Sequence, residues 1–318
     1  MAQDEFAIIQ QYFHDIGPVS VHTRLGIGDD AAVVEVPTGM QQVVCMDTLI
    51  SGVHFPGDTA AADIAVKALA VNLSDVAAMA ATPSWFLLSA SLPEFDAEWL
   101  RQFADSLRQS AERYGVQLIG GDTCRGSLSI TIQVAGLVPA GSYVSRAGAS
   151  AGDLVLVSGQ LGNAGLGLAH LQGRLELPRE LASRCVQALN RPQPRLDLVD
   201  FLQDFASAAI DISDGLQGDL AHILEASHCG ARIEQAALPV DPWIEQHDMY
   251  RYALAAGDDY QICCTLAPRH RGEVENWNRR YPERSLTIIG ELVDSGFLLR
   301  VGDEWVDLGK RGGFRHFG

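Results

Sequence analysis

Two adjacent carboxylates lie between glycines and alanines in the stretch Gly26-Ile27-Gly28-Asp29-Asp30-Ala31-Ala32, just before the β-favouring run 33–36. Carboxylates held side by side repel each other, so a site that keeps them together typically supplies a cation. Glycine beside them lets backbone and ligand approach closely. The stretch therefore predicts a loop that binds metal ions and, through them, phosphates.

The same pairing of acids with small or polar residues returns along the chain, at 47–48, 72–75, 120–123, 211–215 and 257–260. A single Gly-Asp pair is more often a solvated turn than a ligand site. Nearly all of these clusters, however, lie at the ends of apolar runs, where side chains from different elements can converge. Their recurrence therefore predicts one site for metal ions and phosphates.

The composition of the 318-residue chain, with 47% hydrophobic and 20% charged residues, is that of a soluble globular enzyme. Every apolar run is interrupted before it could span a bilayer, and the acidic N-terminus lacks the basic start of a secretory signal. We therefore expect a cytoplasmic protein without a membrane partner. The net charge of −17 predicts that nucleic acid is repelled, and that phosphorylated ligands bind only through metal ions. The six cysteines form no C-x-x-C pair, which argues against a zinc site.

Hydrophobic periodicity predicts strands that alternate with helices. We expect strands over 33–36, 43–46, 85–91, 116–119, 128–138, 154–158, 208–210, 261–266 and 286–291. Helices are expected over 5–15, 59–80, 96–114, 216–227 and 269–280, and a further one ends at 171. Asn72 and the pair Ser74-Asp75 predict a break or cap inside the second helix, while Asp96 and Gly115 suit the ends of the third. The mixture of hairpin and crossover connections favours an α/β fold with mixed sheets.

A change of composition divides the chain into two domains. Residues 1–138 form the first, a polar and glycine-rich linker loop follows over 139–152, and a second α/β domain occupies 153–318. The apolar strand content of 33–50 and 85–91 exceeds what a single domain of this size needs to bury. We therefore expect a homodimer that forms through the N-terminal sheet.

Two common nucleotide-binding motifs do not fit the sequence. Gly26-x-Gly28-x-x-Ala31 matches the dinucleotide fingerprint, but the run that follows it is β-like, and Asp29 and Asp30 would face the pyrophosphate. Neither Lys67 nor Lys310 stands in a P-loop. Acid-rich, lysine-poor loops bind polyphosphate only through bridging cations, and aspartate oxygens suit Mg²⁺. The chemistry that we expect is therefore metal-assisted phosphoryl transfer.

Three further residues are candidates for ligand contacts. Arg146 is a rare cation in a glycine-flanked loop and could hold a phosphate through two hydrogen bonds. His54 follows the acid at Asp47 and could contact a phosphate or a ring. Ser213 stands between two acids, where it could cap a helix or contact a nucleotide. Each of these residues, taken alone, is more often structural.

Taken in order, the motifs resemble those of thiamine-monophosphate kinases, relatives of the aminoimidazole ribonucleotide synthetases. The matching segments are 26–31, 47–49, 70–75, 120–123, Arg146 with Gly148, and 211–216, and the resemblance runs from Phe6 to Phe317. It implies an N-terminal domain that binds ATP and Mg²⁺ and dimerises through its sheet, followed by a second α/β domain. It also implies ATP-dependent phosphorylation of thiamine monophosphate to thiamine diphosphate.

The resemblance also implies roles for single residues. Several Mg²⁺ ions are expected on Asp30, Asp47, Asp75, Asp122, Asp211 and Asp214. Contacts to ATP are expected from Gly121, Asp122, Arg146 and Ser213. Contacts to thiamine monophosphate are expected from His54, Asp258 and Phe314. We expect no nucleophile and no strong base among them, because the acceptor phosphate is already largely dianionic at neutral pH.

The sequence departs from the family pattern at a few of these positions. Cys45 and Met46 stand where the family often has Ser-Thr, so these two residues are expected to bind metal only through their backbone carbonyls. Asp258 and Gln261 stand where the family commonly has glutamates. The departures bear on the metal count and on the thiamine contacts.

Two other functions stay open at this stage. One is a different ATP-dependent activity of the same superfamily, with aminoimidazole ribonucleotide synthetase as the nearest enzymatic alternative. The other is a non-catalytic protein that binds Mg²⁺ or Ca²⁺ through structural acid clusters. Arg146 and the distribution of the acids over both halves of the chain argue against the second alternative. Turnover of ATP with thiamine monophosphate as the acceptor separates catalysis from mere metal binding.

Overall fold

A computed structural model describes residues 5–309 of the chain. Its helices are α1 Glu5–Ile8, α2 Ala61–Ala78, α3 Ala97–Tyr114, α4 Asn163–Leu171, α5 Arg179–Asn190, α6 Val199–Phe205, α7 Leu216–Ser227, α8 Pro242–Gln246, α9 Arg251–Ala255 and α10 Arg271–Arg280. A π-helical turn, Ile9–Phe13, continues α1. None of these helices combines the length and the apolar character that crossing a membrane would need.

The strands of the described residues form three sheets. They are β1 Thr23–Leu25, β2 Val33–Val34, β3 Met40–Ile50, β4 Thr82–Leu92, β5 Gln117–Arg125, β6 Ser129–Pro139, β7 Leu154–Ser158, β8 Ala206–Asp211, β9 Gly230–Glu234, β10 Ile262–Leu266, β11 Leu286–Val293, β12 Phe297–Val301 and β13 Glu304–Asp307. The short strand β2 pairs with β1, a strand that the sequence did not predict.

The chain separates into two compact units, one within Met1–Val76 and Ala81–Tyr143, the other within Ala77–Ala80 and Val144–Gly318. The first unit contains the four-stranded sheet, in the order β3-β6-β4-β5. Strands β4 and β5 run parallel, whereas β6 is antiparallel to both of its neighbours. This combination confirms the predicted mixed sheet.

Helix α3 begins and ends where the sequence predicts. The Asp96 carboxylate accepts the N–H groups of Glu98 and Trp99 at 2.9 and 3.0 Å. Gly115 ends the helix in left-handed backbone at a φ of 66°. The cap satisfies two N–H groups that have no partner within the helix, and glycine adopts the positive φ without steric strain.

Helix α2 runs without interruption from Ala61 to Ala78, so the predicted break near Asn72 and Ser74 is wrong. Both side chains are fully buried inside the unit. The Asn72 amide donates to the Ala68 carbonyl at 3.0 Å and accepts the Asp47 N–H at 3.0 Å. A polar side chain whose hydrogen bonds are satisfied in this way does not need the solvent of a helix end.

Strand β5 includes residues 120–123, which the sequence analysis assigned to a loop; that assignment is wrong. Gly121 lies opposite Leu88 of the parallel strand β4. A Cβ atom on Gly121 would lie 1.8 Å from the Leu88 carbonyl oxygen. Glycine therefore allows the two strands to approach, and Asp122 follows it on a strand and not in a turn.

The second unit contains a seven-stranded sheet, in the order β13-β12-β9-β11-β7-β10-β8. Neighbouring strands are antiparallel except β12 and β9. The central strands β7 and β10 are buried along their whole length. One apolar cluster contains Val155 and Leu220, and another contains Leu156 and Phe201, so neighbouring β7 residues enter different cores. A strand covered on both faces has the continuous apolar sequence that predicted 154–158.

The short segment Ala77–Ala80 belongs to the second unit, although the residues on both sides of it belong to the first. Its alanines are part of the apolar cluster around Val144 and Phe201. The Ala80 carbonyl accepts a hydrogen bond from Gln203 Nε2 at 2.7 Å. The core of the second unit therefore contains a piece of chain from far upstream.

Candidate active site

A cavity of about 1030 Å³ in the first unit is lined by two of the acidic segments. Its walls include Asp29 and Asp30 from the stretch before β2, and Gly121 and Asp122 from β5. Asp30 and Asp122 are both exposed, so their carboxylates are accessible to a hydrated cation. The structure thus brings three of the predicted site residues, Asp30, Gly121 and Asp122, to one cavity.

Asp47 of β3 and Asp75 of α2 form a pair of carboxyl groups in contact. The Asp75 side chain is close enough to act on the ionisation of Asp47. Burial raises the pKa of Asp47, and the hydrogen bond from Asp75 lowers it in part. Two carboxyl groups this close share a proton or bind a cation, because the ionised pair would repel itself. Whether the two acids bind a cation stays a prediction.

Cys45 and Met46 lie on opposite faces of β3. The Cys45 thiol donates to the Asn72 carbonyl of α2 at 3.3 Å, whereas the Met46 side chain is 65% exposed. Burial raises the pKa of Cys45 well above its usual range, and the charges of Asp75 and Asp47 raise it further. Burial and the two nearby acids thus favour the neutral form of the thiol. Metal binding through the backbone carbonyls of Cys45 and Met46 stays a prediction.

His54 lies in the turn that follows β3. Its Nδ1 accepts the N–H of Ile50 at 2.9 Å, and its carbonyl oxygen accepts a hydrogen bond from the buried Lys67 ammonium at 3.2 Å. Because Nδ1 is an acceptor, the neutral ring carries its proton on Nε2. The bond from Ile50 orients the imidazole and gives Nε2 the character of a donor, whereas the bond from Lys67 holds the backbone of the turn.

Three acids follow one another along the chain at the end of strand β8 in the second unit. Asp211 ends the strand, Asp214 follows in the turn, and Asp219 lies in the first turn of α7 with 2% exposure. The Asp219 Oδ2 atom accepts the N–H groups of Asp214 and Gly215 at 2.9 and 3.1 Å. Burial raises the pKa of Asp219 to about 8, and the negative charges of Asp211 and Asp214 act in the same direction. A cation near this turn would relieve the repulsion.

The turns 211–215 and 256–260 are joined through their backbones. The Asp258 N–H donates to the Ser213 carbonyl at 2.8 Å, and the Tyr260 N–H donates to the Ile212 carbonyl at 2.8 Å. A Cβ atom on Gly257 would lie 2.3 Å from the Ser213 oxygen. Asp258 and Tyr260 adopt positive φ angles of 63° and 47°, which are uncommon for residues other than glycine. The predicted nucleotide contact Ser213 and the predicted substrate contact Asp258 therefore belong to one closely packed element.

Arg146 lies in an exposed bend before β7. Its carbonyl oxygen accepts a hydrogen bond from Ser227 Oγ at 3.0 Å, which holds the bend. Its guanidinium forms no hydrogen bond or ion pair with any residue in 5–309, so its donors are available to a ligand. The other predicted substrate contact, Phe314, lies outside the described residues.

The side chain of Gln261 accepts hydrogen bonds from residues of the second unit. Its Oε1 atom accepts hydrogen bonds from Ser158 Oγ at 2.8 Å and from Arg195 at 3.2 Å. Arg195 is itself buried and binds both oxygens of Asp197 at 3.0 Å. The departure from the family's glutamate therefore falls within a buried hydrogen-bond network.

Two buried acids, Asp219 and Asp259, shape these turns, and neither was predicted individually as a ligand, although Asp259 falls in the predicted cluster 257–260. The Asp259 Oδ2 atom accepts the Gly162 N–H at 2.8 Å, and thus caps the N-terminus of α4 from a position 97 residues away. Burial raises the pKa of Asp259 to about 7. No local pattern reveals such a distant cap. Asp219 has a signal in the sequence, because it is an acid in the first turn of a helix that follows a glycine.

These carboxylates fit a divalent cation that also takes ligands from a substrate. Among residues 5–309, no three His, Cys, Asp or Glu side chains are grouped closely enough to hold a metal ion by themselves. Mg²⁺ does not need such a cage, because it keeps several waters and combines one or two carboxylates with substrate phosphates. The pair of Asp47 and Asp75 has the chemistry of such a donor set.

Two family models, both described as AIR synthase related protein, match the chain. The model of the N-terminal domain matches residues 28–138. The model of the C-terminal domain matches residues 150–300. Together they account for most of the chain.

Proteins of known name give a finer comparison. The chain is 45% identical to the thiamine-monophosphate kinase of Salmonella typhimurium over 280 residues, which cover 86% of each sequence. The crystal structure of thiamine-monophosphate kinase from Stenotrophomonas maltophilia K279a matches with a TM-score of 0.82 at 40% identity, over 88% of this chain and 91% of that one. A structure described as AaThiL complexed with AMPPCP and TMP matches with a TM-score of 0.77 at 31% identity, over 92% of both chains. The chain therefore belongs to the AIR synthase-related family and, within it, to the thiamine-monophosphate kinases.

Proposed function

We propose that this chain transfers the γ-phosphoryl group of ATP to the phosphate of thiamine monophosphate and forms thiamine diphosphate. The observation that carries the proposal is the match to the AaThiL structure with AMPPCP and TMP, which covers 92% of this chain. AMPPCP is an ATP analogue whose carbon bridge blocks transfer, so the two ligands represent a donor and an acceptor. The contacting carboxyl groups of Asp47 and Asp75 support the cation site that two such polyanions require.

Transfer in this proposal is direct. An oxygen of the acceptor phosphate forms a bond to the γ-phosphorus, and the bond from that phosphorus to the β–γ bridging oxygen breaks, so that ADP leaves with the electron pair. The acceptor needs no general base, because a phosphate monoester has a second pKa of about 6. The task left to the protein is to bring two polyanions together by positioning and by charge neutralisation.

We assign these tasks to the residues that the sequence analysis selected. Divalent cations, which we propose to be several Mg²⁺ ions, would neutralise the phosphate oxygens when bound. Their ligands would be Asp30, Asp47, Asp75, Asp122, Asp211 and Asp214, with backbone carbonyls of Cys45 and Met46. Gly121, Asp122, Arg146 and Ser213 would contact ATP, and His54, Asp258 and Phe314 would contact the acceptor. In this assignment residues 1–138 form the N-terminal domain that binds ATP and Mg²⁺, residues 139–152 form the linker loop, and residues 153–318 form the second domain, with Arg146 of the linker and Asp211, Ser213 and Asp214 of the second domain as further ligands.

The test is product formation by the purified chain with ATP, MgCl₂ and thiamine monophosphate, measured by chromatography of thiamine diphosphate. Asp30→Asn and Asp122→Asn should each cut turnover severely while the fold survives. Thiamine should be a very poor acceptor, since its hydroxyl would need a general base and none of the assigned residues has that role. Equal rates on thiamine and its monophosphate would contradict the assignment of the acceptor, and absence of the diphosphate would contradict the function.

The directness of the transfer has its own test. A single in-line displacement inverts the configuration of a chiral γ-phosphate. Retention of configuration, or a trapped phosphorylated side chain, would contradict direct transfer and would require a phosphoenzyme.

We also propose that the chain forms a homodimer through β3. Val44, Met46 and Ile50 share one face of this edge strand and are 53%, 65% and 40% exposed. An apolar strand face in water favours association with a second copy. Light scattering at micromolar concentration should give the mass of a dimer for the wild type and of a monomer for Val44→Glu. A monomeric wild type would contradict the proposal.

The proposed reaction also indicates a location for the enzyme. ATP, the phosphoryl donor, is a cytoplasmic metabolite, and we therefore place the protein in the cytoplasm. Fractionation of cells that express a tagged chain should recover it with the cytoplasmic enzymes, and recovery in another fraction would contradict this placement.

A further inference from the structure

Asn72 is an amide at the point where helix α2 meets strand β3. It is fully buried, and it lies one turn before Asp75 on the same helix. Its Oδ1 atom accepts the backbone N–H of Asp47 at 3.0 Å, while its Nδ2 atom donates to the Ala68 carbonyl at 3.0 Å. Because β3 is an edge strand, backbone groups on its outer side need partners outside the sheet. Asn72 is such a partner, and the residue that it holds carries a carboxylate of the contacting pair.

A second bond joins the same two elements. The Cys45 thiol donates to the Asn72 carbonyl oxygen at 3.3 Å, and its sulfur lies 3.8 Å from Asn72 Oδ1. Residues two apart on a strand point to the same side, so Cys45 and Asp47 both face α2. On the helix, Asn72 and Asp75 are three residues apart and share a face. Helix α2 therefore carries one carboxylate of the pair and fixes the backbone of the other.

Packing alone gives no reason for an amide at this position. Leucine has the same branching and the same number of side-chain heavy atoms as asparagine and a higher helix propensity, and it has no polar atoms that need partners in a core. The amide is useful only for the hydrogen bonds that it makes. One of these goes back into its own helix, and the other goes to Asp47.

We propose that Asn72 is a positioning residue that fixes the backbone of Asp47 beside Asp75, so that one divalent cation can bind both carboxylates. The inference rests on the cation site of the proposed function. It extends that site to a residue that does not touch the cation. Groups that orient a metal ligand in this way change metal affinity by roughly 10- to 100-fold.

Asn72→Leu is the direct test, because it keeps the branching of the side chain and removes both hydrogen bonds. Mn²⁺ is the probe, and the electron paramagnetic resonance signal of the free ion measures its binding without ATP or thiamine monophosphate. The affinity for Mn²⁺ should fall by roughly 10-fold or more. Unchanged affinity in this variant would overturn the proposal.

Leu73→Ala is the matched control. Leu73 is fully buried on the same helix, so its truncation lowers stability through a cavity and leaves the bond to Asp47 intact. This control should melt at a lower temperature and bind Mn²⁺ with nearly wild-type affinity. An equal loss of affinity in both variants would assign the effect to helix stability and would overturn a specific role for Asn72.

Two further measurements keep the proposal testable if Asn72→Leu does not fold. In Asn72→Ser the side chain is too short to span from α2 to the Asp47 amide, and the same loss of Mn²⁺ affinity should follow. In the wild-type chain without metal, the Asp47 amide should exchange its hydrogen slowly. Exchange at the rate of an unprotected amide would overturn the proposal. Normal Mn²⁺ binding without thiamine diphosphate formation would contradict the proposed function and leave this inference standing.

Discussion

Replacement of Asp219 by asparagine should change how the stability of the metal-free chain depends on pH. The side chain is 2% exposed, and its pKa is raised from 3.8 to about 8. The folded chain therefore binds this proton more tightly than the unfolded chain does, and stability is lost as the pH rises from about 4 towards 8. At about 1.36 kcal/mol for each pKa unit, this carboxyl group costs about 4 kcal/mol between pH 5 and pH 8. Asparagine removes the titration and keeps an oxygen that can accept the N–H groups of Asp214 and Gly215.

Urea unfolding in EDTA, followed by circular dichroism at pH 5, 6, 7 and 8, measures the effect. Relative to wild type, the free energy of unfolding of Asp219→Asn should rise by about 4 kcal/mol across this range. Asp294→Asn, which changes an exposed carboxyl group, is the control and should show no such trend. Saturating divalent cation should shrink the difference, because a positive charge near Asp211 and Asp214 lowers the pKa of Asp219. A difference that does not vary with pH would refute the reasoning.

Three other substitutions test the first unit. Asp75→Asn should raise the half-saturating concentration of divalent cation by roughly 10-fold or more and should not lower the melting temperature; cation titration of activity and calorimetry measure both, and an unchanged titration would speak against the pair as ligands. Cys45→Ser should keep activity and stability, because a hydroxyl can donate to the Asn72 carbonyl as the thiol does; a large loss of kcat would reveal a role for sulfur. Gly121→Ala should lower the free energy of unfolding by about 3 kcal/mol, because its Cβ atom would lie 1.8 Å from the Leu88 oxygen. If Gly121→Ala had the same free energy of unfolding in urea as the wild type, β4 would move away from the added Cβ atom at little cost.

The parts of the fold that local chemistry determines are predictable from the sequence. Helix α3 has an aspartate and a glycine at its two ends, and the structure uses both as caps. Helix α7 and strand β7 have the bounds that their apolar patterns indicate. In each case the deciding interactions lie within a few residues of each other, so a linear pattern contains them.

The parts that depend on distant partners are not predictable in this way. Asn72 and Ser74 are residue types that favour a helix end. Here both are buried in the middle of the continuous helix α2. Gly121 carries the signature of a turn, and the approach of β4 places it in a strand instead. Local propensity is the same in both environments, so only the tertiary contact decides between them.

The candidate site is predictable as a set of residue types and not as a geometry. Repeated acids beside small residues indicate cations and phosphates, and they carry the resemblance to the family. The contact between Asp47 and Asp75 joins a strand to a helix, and the long-range cap of α4 by Asp259 joins two turns. Such contacts depend on which backbone elements pack together, and spacing along the chain does not contain that information.

The segment Ala77–Ala80, which packs within the second unit, limits how this protein can be divided into separately folding fragments. A polypeptide that starts at Val144 would lack these alanines, and the surface of the core around Phe201 would be open to water. During synthesis this segment leaves the ribosome before any of the strands with which it packs. The core around Phe201 is therefore completed only late in translation. Separate expression of the second half should therefore yield an aggregating fragment, and a peptide that spans 77–80, supplied in trans or grafted onto its start, should restore it.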